Sequence, residues 1–163
     1  MAQETYIIDT SSLIKIQPED YPRDIYVGMW ENLEGLIEED RLISHIKVLD
    51  ELKSYEGKKD EILKWAEMHS NIFMPIKPEQ LSLVKKIVNT NNFRALIDNT
   101  KSTGDTDAFI MALAMEKTLR GRIVVSEEVL HENKIKIPFV CNYFNIKSTN
   151  IFGMFRNEGW RWY

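Results

Sequence analysis

The first hydrophobic segment of the chain is short and ends on a carboxylate. Tyr6, Ile7 and Ile8 are aromatic or β-branched and stand next to one another, which is typical of a strand buried on both faces. Asp9 follows at once and is predicted to lie where this strand leaves the sheet. A carboxylate there either bonds nearby backbone N–H groups or belongs to a ligand site, since ligands bind at the carboxyl ends of parallel strands. On this segment alone the first interpretation is favoured.

Helical periodicity dominates the next part of the chain. Apolar residues recur three and four positions apart in four successive segments, at 24–41, 41–57, 58–70 and 78–90. We predict that 41–57 forms one helix with Ser44 as its N-cap. Pro78 is predicted to begin the last of the four helices, because proline suits a first helical turn.

The clearest helical pattern lies in the second half of the chain, and a second buried strand follows it directly. The segment 104–121 has Asp105 and Thr106 as candidate caps, and Ile123 to Val125 reads as the strand. Beyond it, the pattern predicts two short helices around a strand-like piece at 147–149. Strands that alternate with helices are typical of α/β folds. We therefore predict a three-layer sandwich, with a mainly parallel central sheet flanked by helices, in a single domain over residues 1–163.

Composition supports a folded protein and excludes several kinds of site. Of the 163 residues, 44% are hydrophobic, which is enough for a core without disulfides. Cys141 is the single cysteine, so an intramolecular disulfide and a Cys-based zinc site are excluded; its apolar neighbours predict a core position. The sequence has no signal-peptide pattern and no apolar run of membrane-spanning length. We therefore expect a cytoplasmic protein with no membrane partner.

Acidic residues stand at the junctions between predicted elements. They are Asp9 after the first strand, Glu51 in the "VLDEL" helix, Asp107 at the head of the long helix, and Glu127 and Glu128 after the second strand. Clustered carboxylates stay ionised together only if a cation neutralises them. Hard oxygen ligands without cysteine or histidine favour Mg²⁺ or Mn²⁺, and such a centre commonly activates water for attack on phosphorus. A metal ion would also reconcile the net charge of −4 with an anionic substrate.

Four motifs, taken in order, resemble the PIN-domain ribonucleases, the superfamily of the VapC-type toxins. They are "YIIDTSSLI", "VLDEL", "GDTDAFIMALA" and "IVVSEE". The tail "KIPFVCNYFNIKSTNIFGMFRNEGW" resembles one branch, which is catalogued only as a domain of unknown function and is often found in toxin–antitoxin contexts. The resemblance runs the length of the chain and implies a PIN-like fold.

The resemblance also implies which acids hold the metal. Asp9, Glu51 and Asp107 match the family's core ligands. Asp107 is preferred to Asp105 because "DAFIMALA" matches the family's helix directly.

The fourth acid and the residues that orient the first are implied in the same way. In "VVSEE" the family's spacing points to Glu128 rather than Glu127. Ser11, with Thr10 beside it, matches the group that orients Asp9.

The function implied by the resemblance is a Mg²⁺- or Mn²⁺-dependent endoribonuclease with an RNA substrate. Its biological role would be the toxin of a toxin–antitoxin pair, restrained by a protein antitoxin, and a homodimer is a candidate assembly. The alternative is a non-catalytic, PIN-shaped module that binds nucleic acid or protein. The acidic net charge and the glutamate at the fourth position favour that alternative.

The remaining candidates carry weaker signals. His45, His69 and His131 lack metal-ligand spacing, and we predict surface or partly buried positions without a role for them. Two further sets stay open: Lys101, Lys134 and Lys136 as RNA-phosphate contacts or ordinary surface lysines, and Trp160, Trp162 and Tyr163 as docked residues or a partner contact.

Overall fold

Parallel strands form the centre of the fold. We describe a computed structural model over residues 3–55, 60–98, 100, 104–116, 121–130 and 135–162. Within these ranges the strands are β1 (Thr5–Ile8), β2 (Leu42–His45), β3 (Phe73–Met74), β4 (Arg122–Val125) and β5 (Ser148–Thr149). They pair in the order β3-β2-β1-β4-β5, and every neighbouring pair is parallel.

Helices flank this sheet. They are α1 (Thr10–Lys15), α2 (Val27–Glu38), α3 (Ile46–Ser54), α4 (Asp60–Met68), α5 (Pro78–Val88), α6 (Thr106–Met115), α7 (Ile137–Tyr143) and α8 (Ile151–Asn157), with 3₁₀ turns at Ser70–Ile72 and Phe93–Leu96. Pro78 begins α5, as the sequence predicts. The predicted class, an α/β fold whose parallel central sheet is flanked by helices, is confirmed.

Strand β1 is the innermost strand of the sheet. It pairs with β2 on one side and β4 on the other, and Ile8 lies opposite Val125. Ile7 and Ile8 are fully buried, and Tyr6 is nearly so. Successive residues of a strand point to opposite faces, so burial of all three means that helices cover both faces of the sheet. The predicted strand buried on both faces is confirmed.

The prediction of one helix over 41–57 is wrong at its start. Leu42–His45 is strand β2, all four residues are buried, and the Ser44 hydroxyl donates to the carbonyl of Ile8 at 2.6 Å. Helix α3 begins only at Ile46, with His45 as its N-cap. A short apolar strand that is buried on both faces shows no alternation of apolar and polar residues. The helical periodicity of the residues that follow it therefore led to a predicted helix that starts too early.

His45 corrects a second prediction, because it is fully buried rather than partly buried or at the surface. Its Nδ1 accepts the backbone N–H of Lys47 at 3.1 Å, so Nε2 carries the proton and donates to Gln80 Oε1 at 2.8 Å. Burial lowers the pKa of His45, and the neutral ring suits both contacts. The histidine therefore fixes the start of α3, the helix that carries Glu51.

The C-terminal tryptophans dock on the domain. Trp160 and Trp162 pack on Phe155 of α8, with ring centroids 5.3 Å and 5.4 Å apart. A Cβ atom at Gly28 would lie 2.7 Å from the Trp162 indole, so this close approach to α2 depends on glycine. Trp162 keeps 45% of its surface exposed, and Tyr163 lies outside the described residues.

Two further expectations concern the core and the membrane. Cys141 is fully buried, as predicted. In the described part of the chain, no helix is both long enough and apolar enough to cross a bilayer.

Candidate active site

The candidate site lies at the point in the sheet where the order of the strands reverses direction. From β1 the strand order runs through β2 to β3 on one side, and through β4 to β5 on the other. A crevice opens at such a switch point, outside the carboxyl ends of the two central strands. Asp9 follows β1 and Ser126 follows β4 at this edge. The sequence predicts acids at two strand exits, and the topology makes those strands neighbours.

An open cleft of about 470 Å³ occupies this position. Its lining comprises Asp9, Thr10, Ser11, Glu51, Ala95, Leu96, Asp98, Gly104, Thr106, Asp107, Glu128, Ile135 and Lys136. All four preferred candidate ligands are therefore in one cleft, together with the two hydroxyl residues after the first acid. The two less favoured acids, Asp105 and Glu127, do not line it.

Asp9 is both a helix cap and a cleft residue. Its Oδ1 accepts the backbone N–H of Ser12 at 2.9 Å, which caps α1. The Ser11 hydroxyl lies 2.8 Å and 2.9 Å from the two carboxylate oxygens. Burial raises the pKa of Asp9 to about 6, although hydrogen bonds from three serines act in the opposite direction. The two interpretations of this carboxylate are thus compatible, since capping fixes it at the cleft.

Asp107 has the most perturbed carboxylate of the cleft. It stands in the first turn of α6, and its pKa is raised to about 8, chiefly by burial. The negative charges of Glu128, Asp9 and Glu51 contribute to this rise, and the positive charge of Lys136 opposes it. A helix N-terminus alone would stabilise a carboxylate and lower its pKa. Burial, together with repulsion among these acids, therefore outweighs the helix dipole.

The two adjacent glutamates after β4 go to different places. Glu127 Oε1 accepts the backbone N–H of Ile151, the first residue of α8, at 2.7 Å. Glu128 Oε2 accepts the backbone N–H of Ile137, the first residue of α7, at 3.0 Å, and Glu128 also lines the cleft. One glutamate therefore anchors a helix away from the cleft, and its neighbour anchors a helix at the cleft wall.

Asp105 lies outside the cleft because a lysine holds it elsewhere. Its Oδ1 is 3.0 Å from Lys47 Nζ, at the start of α3. Asp105 is the N-cap residue of α6 by position, but its side chain bonds no N–H of that helix. The ion pair joins the helices that carry Glu51 and Asp107.

Ser126 is a site residue that sequence reasoning missed. It is buried, and its hydroxyl accepts the backbone N–H of Glu128 at 3.2 Å. It also lies 3.5 Å from the Ser11 hydroxyl, which itself accepts the backbone N–H of Glu127 at 3.1 Å. The two serines therefore join the Asp9 turn to the loop of the fourth acid. The signal in the sequence that could have identified Ser126 is its place as a polar residue between a buried strand and two glutamates.

Asp98 is the second residue that sequence reasoning missed. It lines the cleft, and its backbone N–H donates to the carbonyl of Gly104 at 2.9 Å. A Cβ atom at Gly104 would fall 1.7 Å from the Asp98 carbonyl oxygen, so only glycine permits this approach. The position of Asp98 beside the first turn of α6 depends on this contact across the loop.

Lys136 supplies a positive charge at the cleft. Its Nζ lies 3.6 Å from Glu128 Oε1, and nearly half of its side chain is exposed. Lys101 and Lys134 lie outside the described residues. Of the three candidate phosphate contacts, Lys136 is the one whose position is known.

The chemistry of the cleft suits a hard divalent cation. Its carboxylate and hydroxyl donors are oxygen atoms, and the described lining contains neither cysteine nor histidine. Thr10 Oγ1 at the edge of the cleft is buried without a hydrogen-bond partner among the described residues, so one oxygen donor there has no competing bond. In the present side-chain positions, no three acids or histidines of the described chain converge on one ion. The donor set therefore fits such an ion, and side-chain rotation would be needed to enclose it.

Comparison with known proteins places these observations in a family and a fold. A family model described as Domain of unknown function (DUF4411) matches residues 6–162. No curated protein matches the sequence. A chain of the crystal structure of VapBC2 from Rickettsia felis, bound to a DNA fragment from their promoter, superposes with a TM-score of 0.53. The two chains are 18% identical, and the match covers 90% of this chain and 98% of that one. The fold is thus PIN-like, as predicted.

Proposed function

Because the chain belongs to the family described as Domain of unknown function (DUF4411), whose description names no activity, we propose a function from the cleft itself. The protein is a Mg²⁺- or Mn²⁺-dependent ribonuclease that hydrolyses RNA phosphodiester bonds. One observation carries this proposal: Asp107, with a pKa raised to about 8, faces the charges of three other acids at the switch point of a PIN-like sheet. Functional sites are where such unfavourable charge clusters persist.

Four residues would hold the ion: Asp9, Glu51, Asp107 and Glu128. When bound, a divalent ion supplies Lewis-acid stabilisation of a phosphodiester and an activated water. Asp107 holds a proton near neutral pH in the ion-free cleft and must release it to become a ligand. Metal affinity is therefore expected to rise with pH.

Other residues position the ligands and the substrate. Ser11 contacts both oxygens of Asp9 and restricts rotation of the carboxylate. Ser126 fixes the backbone that carries Glu128. Lys136 is near enough to the acids to contact the phosphate on which they act, and its charge offsets part of theirs.

The proposed activity is tested by incubation of the purified protein with a panel of structured and single-stranded RNAs. Cleavage is expected with Mn²⁺ and is expected to stop with EDTA. The ends produced should carry a 5′-phosphate and a 3′-hydroxyl, which distinguishes hydrolysis of this kind from metal-independent RNA cleavage. Products with 2′,3′-cyclic phosphate ends, or cleavage that survives EDTA, would contradict the proposal.

We extend the proposal to a biological role. The structurally similar chain comes from a complex described as VapBC2 bound to a fragment of promoter DNA, which supports a toxin–antitoxin assignment for this chain. The partner would be a protein antitoxin, and the cell compartment the cytoplasm. If the assignment holds, expression of this chain alone should inhibit growth, and co-expression of the adjacent gene, which would encode the antitoxin, should relieve the inhibition. A second copy of the chain is a further candidate partner, which sedimentation would reveal.

A non-catalytic binding module is the second candidate function. The observation that favours it is the lack of three converging acids or histidines in the described part of the chain. Such a module would use the same PIN-like shape to bind nucleic acid or protein without cleavage.

Metal binding separates the two candidates. Mn²⁺ at a hundredfold excess over its dissociation constant is expected to stabilise the folded protein by about 2.7 kcal/mol, because only the folded state assembles the four acids. For a chain of this size that corresponds to a rise in melting temperature of about 5–10 °C. Differential scanning fluorimetry with and without Mn²⁺ measures it. Asp105→Asn should keep the rise and Asp107→Asn should lose it. An unchanged wild-type melting temperature would favour the binding module.

A further inference from the structure

A second, apolar cleft is lined by side chains of α7 and of the segment that follows Glu128, and it has no part in the proposed chemistry. Its volume is about 370 Å³, and its lining is Leu130, Phe139, Asn142 and Tyr143. Tyr143 and Leu130 are about half exposed, at 48% and 52%. Large apolar side chains exposed together at one place are a common mark of a binding surface. We call these four residues the base cleft.

The aromatic wall of the base cleft is held rigidly. The Tyr143 ring meets the ring of Phe93 edge to face, with centroids 5.1 Å apart and an interplanar angle of 86°. It meets Phe144 at 5.0 Å and 78°. Phe93 is fully buried, so it fixes one side of the ring to the core. A ring ordered before binding loses little conformational entropy when a ligand stacks on it.

The base cleft is joined to the acidic cleft through Glu128. Leu130 follows Glu128 by two residues, so their Cα atoms are at most about 7 Å apart. Helix α7, which carries the other three residues, begins at the N–H group that Glu128 binds. Its rise from Ile137 to Tyr143 is about 9 Å. A polymer whose phosphate lies among the acids can therefore place a neighbouring group in the base cleft.

The lining chemistry matches a nucleobase. A nucleobase needs an apolar slot, an aromatic face for stacking and uncharged hydrogen-bond groups at its edge. Tyr143 offers the face, Leu130 and Phe139 the apolar walls, and the Asn142 amide both a donor and an acceptor. We propose that the base cleft binds an unpaired base of the RNA strand whose phosphodiester lies at the acids. This rests on the proposed function and adds the four residues that hold a base next to the cleaved bond.

The test is a binding measurement that does not depend on cleavage. The Asp107→Asn protein is titrated into a fluorescein-labelled single-stranded RNA of about ten nucleotides, and into an abasic strand with the same number of phosphates. Adding Tyr143→Ala is expected to weaken binding of the base-bearing strand by roughly 5- to 150-fold, since stacking on one base contributes an energy of that size. The abasic strand should bind both proteins alike. Fluorescence anisotropy measures both affinities.

Three further variants control for loss of structure. Tyr143→Phe keeps the aromatic face and should bind like the parent, whereas Tyr143→Leu keeps apolar volume and should bind as weakly as Tyr143→Ala. Tyr26→Ala removes a tyrosine of similar exposure, 42%, that lines a different cleft with Tyr21, and should leave binding unchanged. Melting temperatures show which variants are folded.

The outcomes separate this inference from the proposed function. Equal binding of the base-bearing strand by Tyr143→Ala and its parent overturns the base cleft, as does an equal loss on the abasic strand or no binding at all. If the wild-type protein still cleaves RNA when one of these results is found, the proposed nuclease function stands without the base cleft. Conversely, failure of wild-type cleavage overturns the nuclease, and anisotropy alone then decides whether the base cleft stands.

Discussion

Asp107→Asn is expected to reduce RNA cleavage by at least about 10³-fold, because it removes the ligand charge that the other acids surround. The amide has the same shape and keeps an acceptor oxygen, so the first turn of α6 should stay intact. Single-turnover cleavage of the same RNA panel with Mn²⁺ measures the loss. Full activity in this variant would refute the site assignment.

The neighbouring acid provides a matched control for this substitution. Asp105→Asn also removes one negative charge, two residues away on the same helix start, but from a side chain paired with Lys47 outside the cleft. Its cleavage rate should stay near that of wild type. If both substitutions reduce cleavage equally, the loss reflects the helix start or the net charge rather than a metal ligand.

Asp107→Asn should also stabilise the ion-free protein. The pKa of Asp107 is 3.8 at its ordinary value and about 8 in the folded protein. Between these values the folded state binds more protons than the unfolded state, so the free energy of unfolding falls as pH rises. Asp107→Asn escapes this penalty, and at pH 8 with EDTA it should gain about 1–3 kcal/mol. Near pH 4 the two proteins should differ little. Urea unfolding at both pH values measures the difference, and a less stable variant at pH 8 would contradict it.

The central strand and the acids were predictable because each leaves a local signal. Tyr6 to Ile8 is an apolar run with β-branched residues, and Asp9 marks its end. Asp107 stands at the head of an unusually apolar helix, where its charge is conspicuous. What the residues alone could not supply was sheet order, since the pairing of β1 with β4 joins segments more than a hundred residues apart.

The missed features share a physical cause, which is that tertiary contacts decide them. Strand β2 is four buried residues beside a strongly periodic helix, so nothing local separates the two. His45 is polar by type, and only its bonds to Gln80 and the Lys47 N–H make burial favourable. Ser126 matters through its contacts with the Ser11 hydroxyl and the Glu128 N–H, and these exist only once β1 and β4 are paired. Positioning residues of this kind are visible only in the fold.

Glu128→Gln and Glu127→Gln are expected to separate cleavage from stability. Glu128 lines the cleft and raises the pKa of Asp107, so losing its charge should lower cleavage by about 10²-fold. The glutamine oxygen can still accept the Ile137 N–H, which keeps α7 in place. Glu127 binds the first N–H of α8 outside the cleft, so Glu127→Gln should cost about 1 kcal/mol of stability and leave cleavage near wild type.

The two readouts together test the division of labour between these adjacent residues. Single-turnover cleavage should single out Glu128→Gln. Urea unfolding in EDTA should single out Glu127→Gln, because at Glu128 the relief of repulsion with Asp107 offsets the charge lost at the start of α7. Glu128→Gln should also bring the apparent pKa of Asp107 closer to its ordinary value, because one of the charges that raise it is gone. A cleavage defect confined to Glu127→Gln would exchange the two assignments. Equal defects in both variants would mean that the loop acts as one unit, with the anchored helices holding the fourth acid in place.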